Sequence, residues 1–555
     1  MSRAPIDTSD GRPTGEGELN IARQLIRRSG VVAVLGPFLD ADVGRPREIS
    51  LEGFLVVLQL NALHRHHQAH LVQVARVLNA LTDAQRTSLG MTRWDPDEAY
   101  ARVDRFFVRL CEVLDEGHSG VDAQWFANQL ARAAIPKDML TSHSVAVDGT
   151  DVESWGALRG ATFTVELDGE AAATQLVDET ESPPVTKKVK TAKVFGIGPD
   201  GRKCYTPDPD ARAGHRSATA SRNAGPYVGY ELHLAVQTRD VRWTNYVDKT
   251  FLGSEVPSVI TTCNLVAAGT HRGGAIVDAL IAAKTSVHDI TDVVWDPGYS
   301  LCLPGTTTYP LTQAGIEQTI ELVTHQRGIR PFAGEALLVD GQLYSTMLPK
   351  ELRDLRSPPR HATGAYRRAY QEYFNQRARW RLVRHSAPDS DGVTRWRCPF
   401  CAGLLRSRNF PKTMRRSRKA PLVALSEEVT HCCSGTLSAP PAELPITQKI
   451  PFGTTAWQIS MNRRMVVESA NSALKGAFAD LSRGFFRVFG RTKISVLLGF
   501  TVAAYNLDRI RSFRAKQAED EAMPLRRAKR RKGTWATCSA AATEPVPAKA
   551  TGPPD

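Results

Sequence analysis

The chain has no apolar run long enough to cross a bilayer. The longest, ISVLLGFTVAAYNL (494–507), has 14 residues and includes an asparagine, whereas a spanning helix needs about 20. The first residues, MSRAPIDTSDGRPTGEGELN, are polar and lack the apolar centre of a secretory signal, so no signal peptide is expected. Cysteines are few, nine in 555 residues, and several stand alone, which argues against a disulfide scaffold. Acid is in deficit: 58 Asp and Glu face 71 Lys and Arg, a net charge of +13. These shortages point away from a membrane or secreted protein. They point towards a cytoplasmic chain with a polyanionic partner, nucleic acid above all.

What is present is an ordinary globular composition, 42% hydrophobic and 23% charged, and a length that calls for about two to four domains. Residues 1–20 are expected to be disordered. Residues 21–140 are expected to form an all-helical domain, a candidate DNA-end-binding unit, from the three-and-four apolar spacing of LEGFLVVLQLNAL and DEAYARVDRFFVRLCEVLDEG. His66 and His70 in LHRHHQAH are one helical turn apart, but no Cys, Asp or Glu completes a ligand set. They read as a solvated basic helix face rather than a metal site.

Strand texture begins near 142 with SHSVAVDGTDV and returns in GATFTVEL (160–167) and GYELHLAVQTRD (229–240). The polar DETESPPVTKKVKTAK (178–193) reads as a loop, GGAIVDALIAAKTSV (273–287) as a helix, and ITDVVWDPGYS (290–300) as a buried strand ending in a turn. The expectation is an α/β sheet with acids at its carboxyl edge. Its first part covers 141–300, a basic, Cys-containing insertion 301–455, the completing C-terminal helices 456–515 (helical over 459–482 and 491–514), and a charged disordered tail 516–555.

Asp148 follows VAV and precedes a glycine; Asp296 follows DVVW and precedes PGYS. Either alone reads as an Asp that starts a turn. A third acid, Glu468, lies in MNRRMVVESANSALKG (461–476). At about 100° per residue, Arg464, Glu468, Asn471 and Lys475 share one polar stripe, while Val466, Val467, Ala470, Ala473 and Leu474 form a separate apolar face. Alone, Arg464 and Glu468 read as a surface ion pair. Together, two carboxylates on strand ends and one on a late helix suit a pair of divalent cations about 3.5–4 Å apart. Hard oxygen donors favour Mg²⁺, with Mn²⁺ as a substitute. Arg464 and Lys475, with Asn471 and Arg463 beside them, are then candidate DNA contacts. Asp151, Asp292 and Asp340 compete for the same roles, Asp340 being the best substitute for the second acid.

RMVVESANSALK fits Arg-x3-Glu-x6-Lys. It resembles the core of the Tyr-x2-Arg-x3-Glu-x6-Lys signature of DDE transposases from bacterial insertion sequences, with Met461 in the tyrosine's place. VAVDGT resembles the first-Asp motif of that family and VVWDPGYS the second. DPDARAGHRSATASRNAGPYVGYELHLAV and LLVDGQLYSTMLPKELRDL also resemble segments of such transposases, particularly actinobacterial ones.

The resemblance implies a ribonuclease H-like catalytic core, a mixed sheet flanked by helices, with an N-terminal helical domain and an insertion before the last catalytic helix. It implies Asp148, Asp296 and Glu468 as the Mg²⁺-binding triad. It also implies double-stranded DNA as partner (inverted-repeat ends and target), a homodimer or higher oligomer on DNA, and a bacterial, nucleoid-associated location. Trp295, directly before Asp296, would crowd an ion if it turned towards one. The competing readings are a two-metal nuclease without strand transfer and a catalytically inactive DNA-binding relative.

CPFC (Cys398, Cys401) and HCC (His431, Cys432, Cys433) form a C-x2-C…CC arrangement. The first half suits structural Zn²⁺; the adjacent cysteines suit it poorly, and reduced thiols are the competing reading. RSRNFPKTMRRSRKAP (406–421) and PLRRAKRRKG (524–533) are candidate phosphate-contacting segments.

Overall fold

A computed structural model of the chain describes residues 12–39, 48–64, 68–91, 94–156, 160–166, 186–216, 224–244, 249–270, 272–286, 288–356, 361–410, 420–426, 428–429, 435–444 and 448–522. The N-terminal part is helical: α1 (Glu16–Ser29), α2 (Val31–Leu39), α3 (Leu51–Leu63), α4 (Leu71–Ala80), α5 (Asp83–Ser88), α6 (Ala99–Glu116) and α7 (Ala123–Ala133). Side-chain caps fix where several begin. Ser50 accepts from the Gly53 amide, Thr82 and Gln85 form a capping box, and Asp122 accepts from the Trp125 amide. The first helix starts inside the segment expected to be disordered, because Glu16 and Glu18 occupy its first turn and Leu19, Ala22, Leu25 and Ile26 bury one face.

Of LHRHHQAH, Leu63 closes α3, His64 caps it and His70 caps the start of α4, so these described residues do not form one helix face. His70 is buried, with Nε2 2.7 Å from the Gly484 carbonyl, so the solvated reading fails for it. His66 lies outside the described residues.

The main sheet contains β1 (Ser144–Glu153), β6 (Arg212–Arg216), β7 (Gly225–Thr238), β10 (Ile260–Ala267), β11 (Asp292–Trp295) and β12 (Glu317–Ile320). Its order is β10-β7-β1-β11-β12, with β6 also on β7. β7 runs antiparallel to β1 and β10, whereas β1, β11 and β12 are parallel. α8 (Arg272–Ser286) is the crossover into β11.

Both faces are covered, which is why the strands read as apolar runs. Val145 and Val147 enter one core with Ile276, Leu280 and Trp295, while Ala146 and Val294 enter another with Phe126, Val467 and Phe500. β10 and β12 went unanticipated in the sequence, and β12 carries the sheet past residue 300. GATFTVEL forms β2 (Gly160–Glu166), which pairs with β3 (Thr186–Ala192), inside the segment read as a loop. Two small hairpins, β4 (Gly196–Ile197) with β5 (Lys203–Cys204) and β8 (Val241–Thr244) with β9 (Lys249–Leu252), are separate from the main sheet.

Beyond β12 lie two three-stranded sheets, one spanning 329–345 and one joining 383–384, 394–397 and 436–439. The helix α9 (Gly364–Ala378) packs Phe374 towards Phe452 and the second core. The C-terminal helices are α10 (Thr455–Asn462), α11 (Met465–Ser472) and α12 (Arg491–Ala522). The helix expected over 459–482 is thus interrupted at Arg463–Arg464, and α11 ends in a π-turn, Ala473–Ala477. α12 remains helical to Ala522, inside the tail expected to be disordered.

Candidate active site

Asp148 lies within β1 rather than at its end, since β7 stays paired with β1 out to Glu153. The strand that does end here is the parallel partner, β11, whose last registered pair is Val147 with Trp295. Carried one residue further, that register sets Asp148 beside Asp296 on strands about 4.8 Å apart. Asp296 caps the turn Pro297–Leu301, its Oδ1 accepting from the Gly298 amide at 2.7 Å. Trp295 points the other way. It is fully buried and stacked on Tyr299, ring centroids 4.9 Å apart, so it does not crowd the carboxylates.

The polar stripe of α11 and its π-turn meets these acids residue by residue. Arg464 Nη1 donates to Asp296 Oδ2 at 2.8 Å, and its Nη2 lies 2.8 Å from Glu468 Oε1. Asn471 Nδ2 donates to Asp148 Oδ2 at 3.0 Å, and Lys475 Nζ to Asp151 Oδ1 at 2.6 Å. On the apolar face, Val467, Ala470 and Leu474 enter the core that holds Ala146 and Val294. The helix is therefore pinned to the sheet by apolar packing on one side and by cation–carboxylate contacts on the other.

Arg463 does not belong to that stripe, which corrects its expected part in DNA contact. It is buried, with Nη2 2.7 Å from Asp292 Oδ2, both side chains only 4% exposed, and it also donates to the Arg239 carbonyl. Asp292 opens β11, accepts from Ser144 Oγ, and its carboxyl is held below the usual range by Arg463 against the opposing effect of burial. Asp340 is no substitute for Asp296. It sits in the 329–345 sheet at a positive φ of 46°, buried against Arg377 at 2.7 Å. Asp151 is a neighbouring acid tied to Lys475 and Arg216.

Burial pushes the Asp148 carboxyl up to about 6, and the Asp296 and Glu468 carboxylates add to the rise; the Gly149 amide and Arg464 oppose it. Only the part of the rise that comes from Asp296 and Glu468 reflects neighbouring negative charge, which a cation would relieve. Hard oxygen donors on one rung fit a divalent ion, although among the described residues no three His, Cys, Asp or Glu side chains converge on one point. Glu468 instead leans on Arg464 and opens onto a hollow of about 340 Å³, lined also by Trp457, Met461, Asn462 and Met465.

Four residues about the acids escaped the sequence reading. Glu231 on β7 pairs with Arg272, the first residue of α8, at 2.9 Å, and buried His233 shares a 2.7 Å hydrogen bond with Tyr299 Oη. Burial pushes the His233 imidazole down to about 3, so the ring is neutral. The signal lay in the glycines after each Asp. A Cβ on Gly149 would stand 2.9 Å from Glu231 Oε1, and one on Gly298 2.5 Å from Arg272 Nη1.

In the insertion, Cys398 is buried and accepts weakly from the Cys401 amide (3.5 Å). His431, Cys432 and Cys433 lie outside the described residues, as do 411–419 of the first basic segment and all of the second. Among the described residues no helix is long and apolar enough to cross a membrane. No protein-family model matches the chain, and no curated protein or solved structure shows significant similarity to it.

Proposed function

We propose that the chain is a DDE transposase. It would cleave one DNA strand at each inverted-repeat end of its element and join the freed 3′-hydroxyl to target DNA. The observation that supports this reading is one helix stripe whose Arg464 contacts Asp296 and Glu468 and whose Asn471 contacts Asp148. A mixed six-stranded sheet with helices on both faces, in which β6, β7, β10 and β1 pair antiparallel and β11 and β12 continue parallel to β1, is compatible with a ribonuclease H-like core.

Asp148, Asp296 and Glu468 are the residues that would hold magnesium, with manganese as substitute. Ions there would supply the charge that activates the attacking oxygen and stabilises the leaving one. The protein's own groups do the rest. Asn471 orients Asp148, Arg464 keeps Asp296 and Glu468 facing one another, and Arg464 with Lys475 presents cations to the phosphates of the incoming backbone. The excess of basic residues favours DNA in the same way.

The test uses a plasmid carrying the DNA that flanks the reading frame. Wild-type protein with Mg²⁺ should nick it at discrete positions and produce joined products with a second plasmid, while Asp148→Asn, Asp296→Asn and Glu468→Gln bind it without cutting. Cutting without joining would favour a nuclease. Binding by all four proteins with no cutting would leave only a DNA-binding role.

A further inference from the structure

Arg464 has a counterpart across the sheet. α11 shares its core with Ala146 and Val294, whereas α8 shares the core of Val147 and Trp295, so Arg272 approaches the acids from the opposite face. Its Nε lies 2.9 Å from Glu231 Oε1, and its Nη1 fills the space beside Gly298, two residues beyond Asp296. Glu231 in turn fills the space beside Gly149, next to Asp148. The guanidinium thus reaches from one acid motif to the other.

The two partners differ in exposure: the Glu231 side chain is 8% exposed and that of Arg272 40%. A pair serving only to neutralise a buried acid would shelter both charges. Here the acid is sheltered and the planar, multi-donor cation stands open beside Asp296, which suits bidentate capture of a phosphate.

Resting on the transposase reading, we propose that Arg272 is a second phosphate-binding catalytic residue, gripping the DNA backbone on the side of the reacting phosphate opposite Arg464, and that Glu231 is the positioning residue that holds it. The glycines of both acid motifs then share one purpose: any side chain at either position would displace Glu231 or Arg272.

The experiment compares wild type with Arg272→Lys, Glu231→Gln and the double variant Arg272→Ala/Glu231→Gln, which leaves no buried charge unpaired. Single-turnover cleavage of the flanking-DNA plasmid and binding of a fluorescent duplex cut from the same DNA are measured across salt. The double variant should melt near wild type, cut on the order of 100-fold more slowly, and lose roughly 0.9 from the slope of log binding constant on log salt. Glu231→Gln, which keeps the cation, should slow cutting with the slope unchanged, and Arg272→Lys should recover the slope but only part of the rate. Wild-type rate and slope in the double variant, with the wild type active, would overturn the role of Arg272 alone. A wild type that neither binds nor cuts would overturn the transposase reading itself.

Discussion

Arg464 reaches Asp296 across 168 residues of chain, Nη1 to Oδ2 at 2.8 Å, and with its other terminal nitrogen holds Glu468. One guanidinium therefore bridges two of the three acids proposed to hold a metal. Cation and metal compete for the same carboxylates, so anything that draws Arg464 away raises affinity for the ion. Arg464→Gln is expected to bind Mn²⁺ about tenfold more tightly than wild type in the absence of DNA. DNA should narrow the difference by engaging Arg464 in the wild type. Mn²⁺ titration followed by electron paramagnetic resonance measures both quantities; equal affinities without DNA would show that Arg464 does not guard the site.

Asp148 makes the metal-free protein sensitive to pH. Its folded-state value, about 6, is raised above the ordinary 3.8, so the folded state favours the neutral acid. The stabilisation is complete below the ordinary value and is lost as pH rises through about 6. Asp148→Asn, which mimics the neutral acid, should melt a few degrees higher than wild type at pH 7.5 without metal and close to it at pH 4. Saturating Mg²⁺ should reverse the order at the higher pH. A wild type and variant whose melting temperatures stay parallel across that range would contradict this assignment of the charge.

Arg463 and Arg464 are neighbours with opposite duties. Arg463 is enclosed with Asp292, and removing one partner of such a pair costs about 3–5 kcal/mol. Arg463→Ala should therefore lower stability by that order in chemical denaturation. The salt slope of DNA binding should not move, because no phosphate contact is lost. Arg464→Ala should cost far less stability, since both partners are partly exposed, yet reduce the slope by roughly 0.9.

The periodicities were legible where one pattern dominated. VAV and DVVW are uninterrupted because both sheet faces are covered, and Arg464, Glu468 and Asn471 keep their helical spacing because the π-turn begins only at Ala473, with Lys475 inside it. What failed were segments whose structure depends on distant partners. Thr186–Ala192 is dense in lysine and reads as a loop until Gly160–Glu166 supplies a strand to pair with. The pairing of Arg463 with Asp292 and the placement of Glu231 against Gly149 are decided by register between strands and helices far apart in the chain, which no local pattern encodes. The glycine after each catalytic candidate was the one local trace of them, and on its own it reads as an ordinary turn signal.

Asn506, the polar break in the chain's longest apolar run, covers an open sheet edge. From α12 its Nδ2 donates to the Ile260 carbonyl and its Oδ1 accepts from the Ile260 amide, each at 2.8 Å. Asn128 from α7 treats Cys263 in the same way, at 2.8 and 3.0 Å. With Gln124 and Arg132, which donate to the Cys263 and Thr261 carbonyls, the two amides satisfy the outer backbone edge of β10. Asn506→Leu keeps the volume but leaves the amide and carbonyl of Ile260 buried without partners, at about 1–3 kcal/mol for each. Denaturant unfolding should register a loss of this order, and hydrogen exchange at the Ile260 amide should accelerate well beyond that at the β1 amides. Uniformly faster exchange throughout the sheet would mean that Asn506 serves general packing and not the edge.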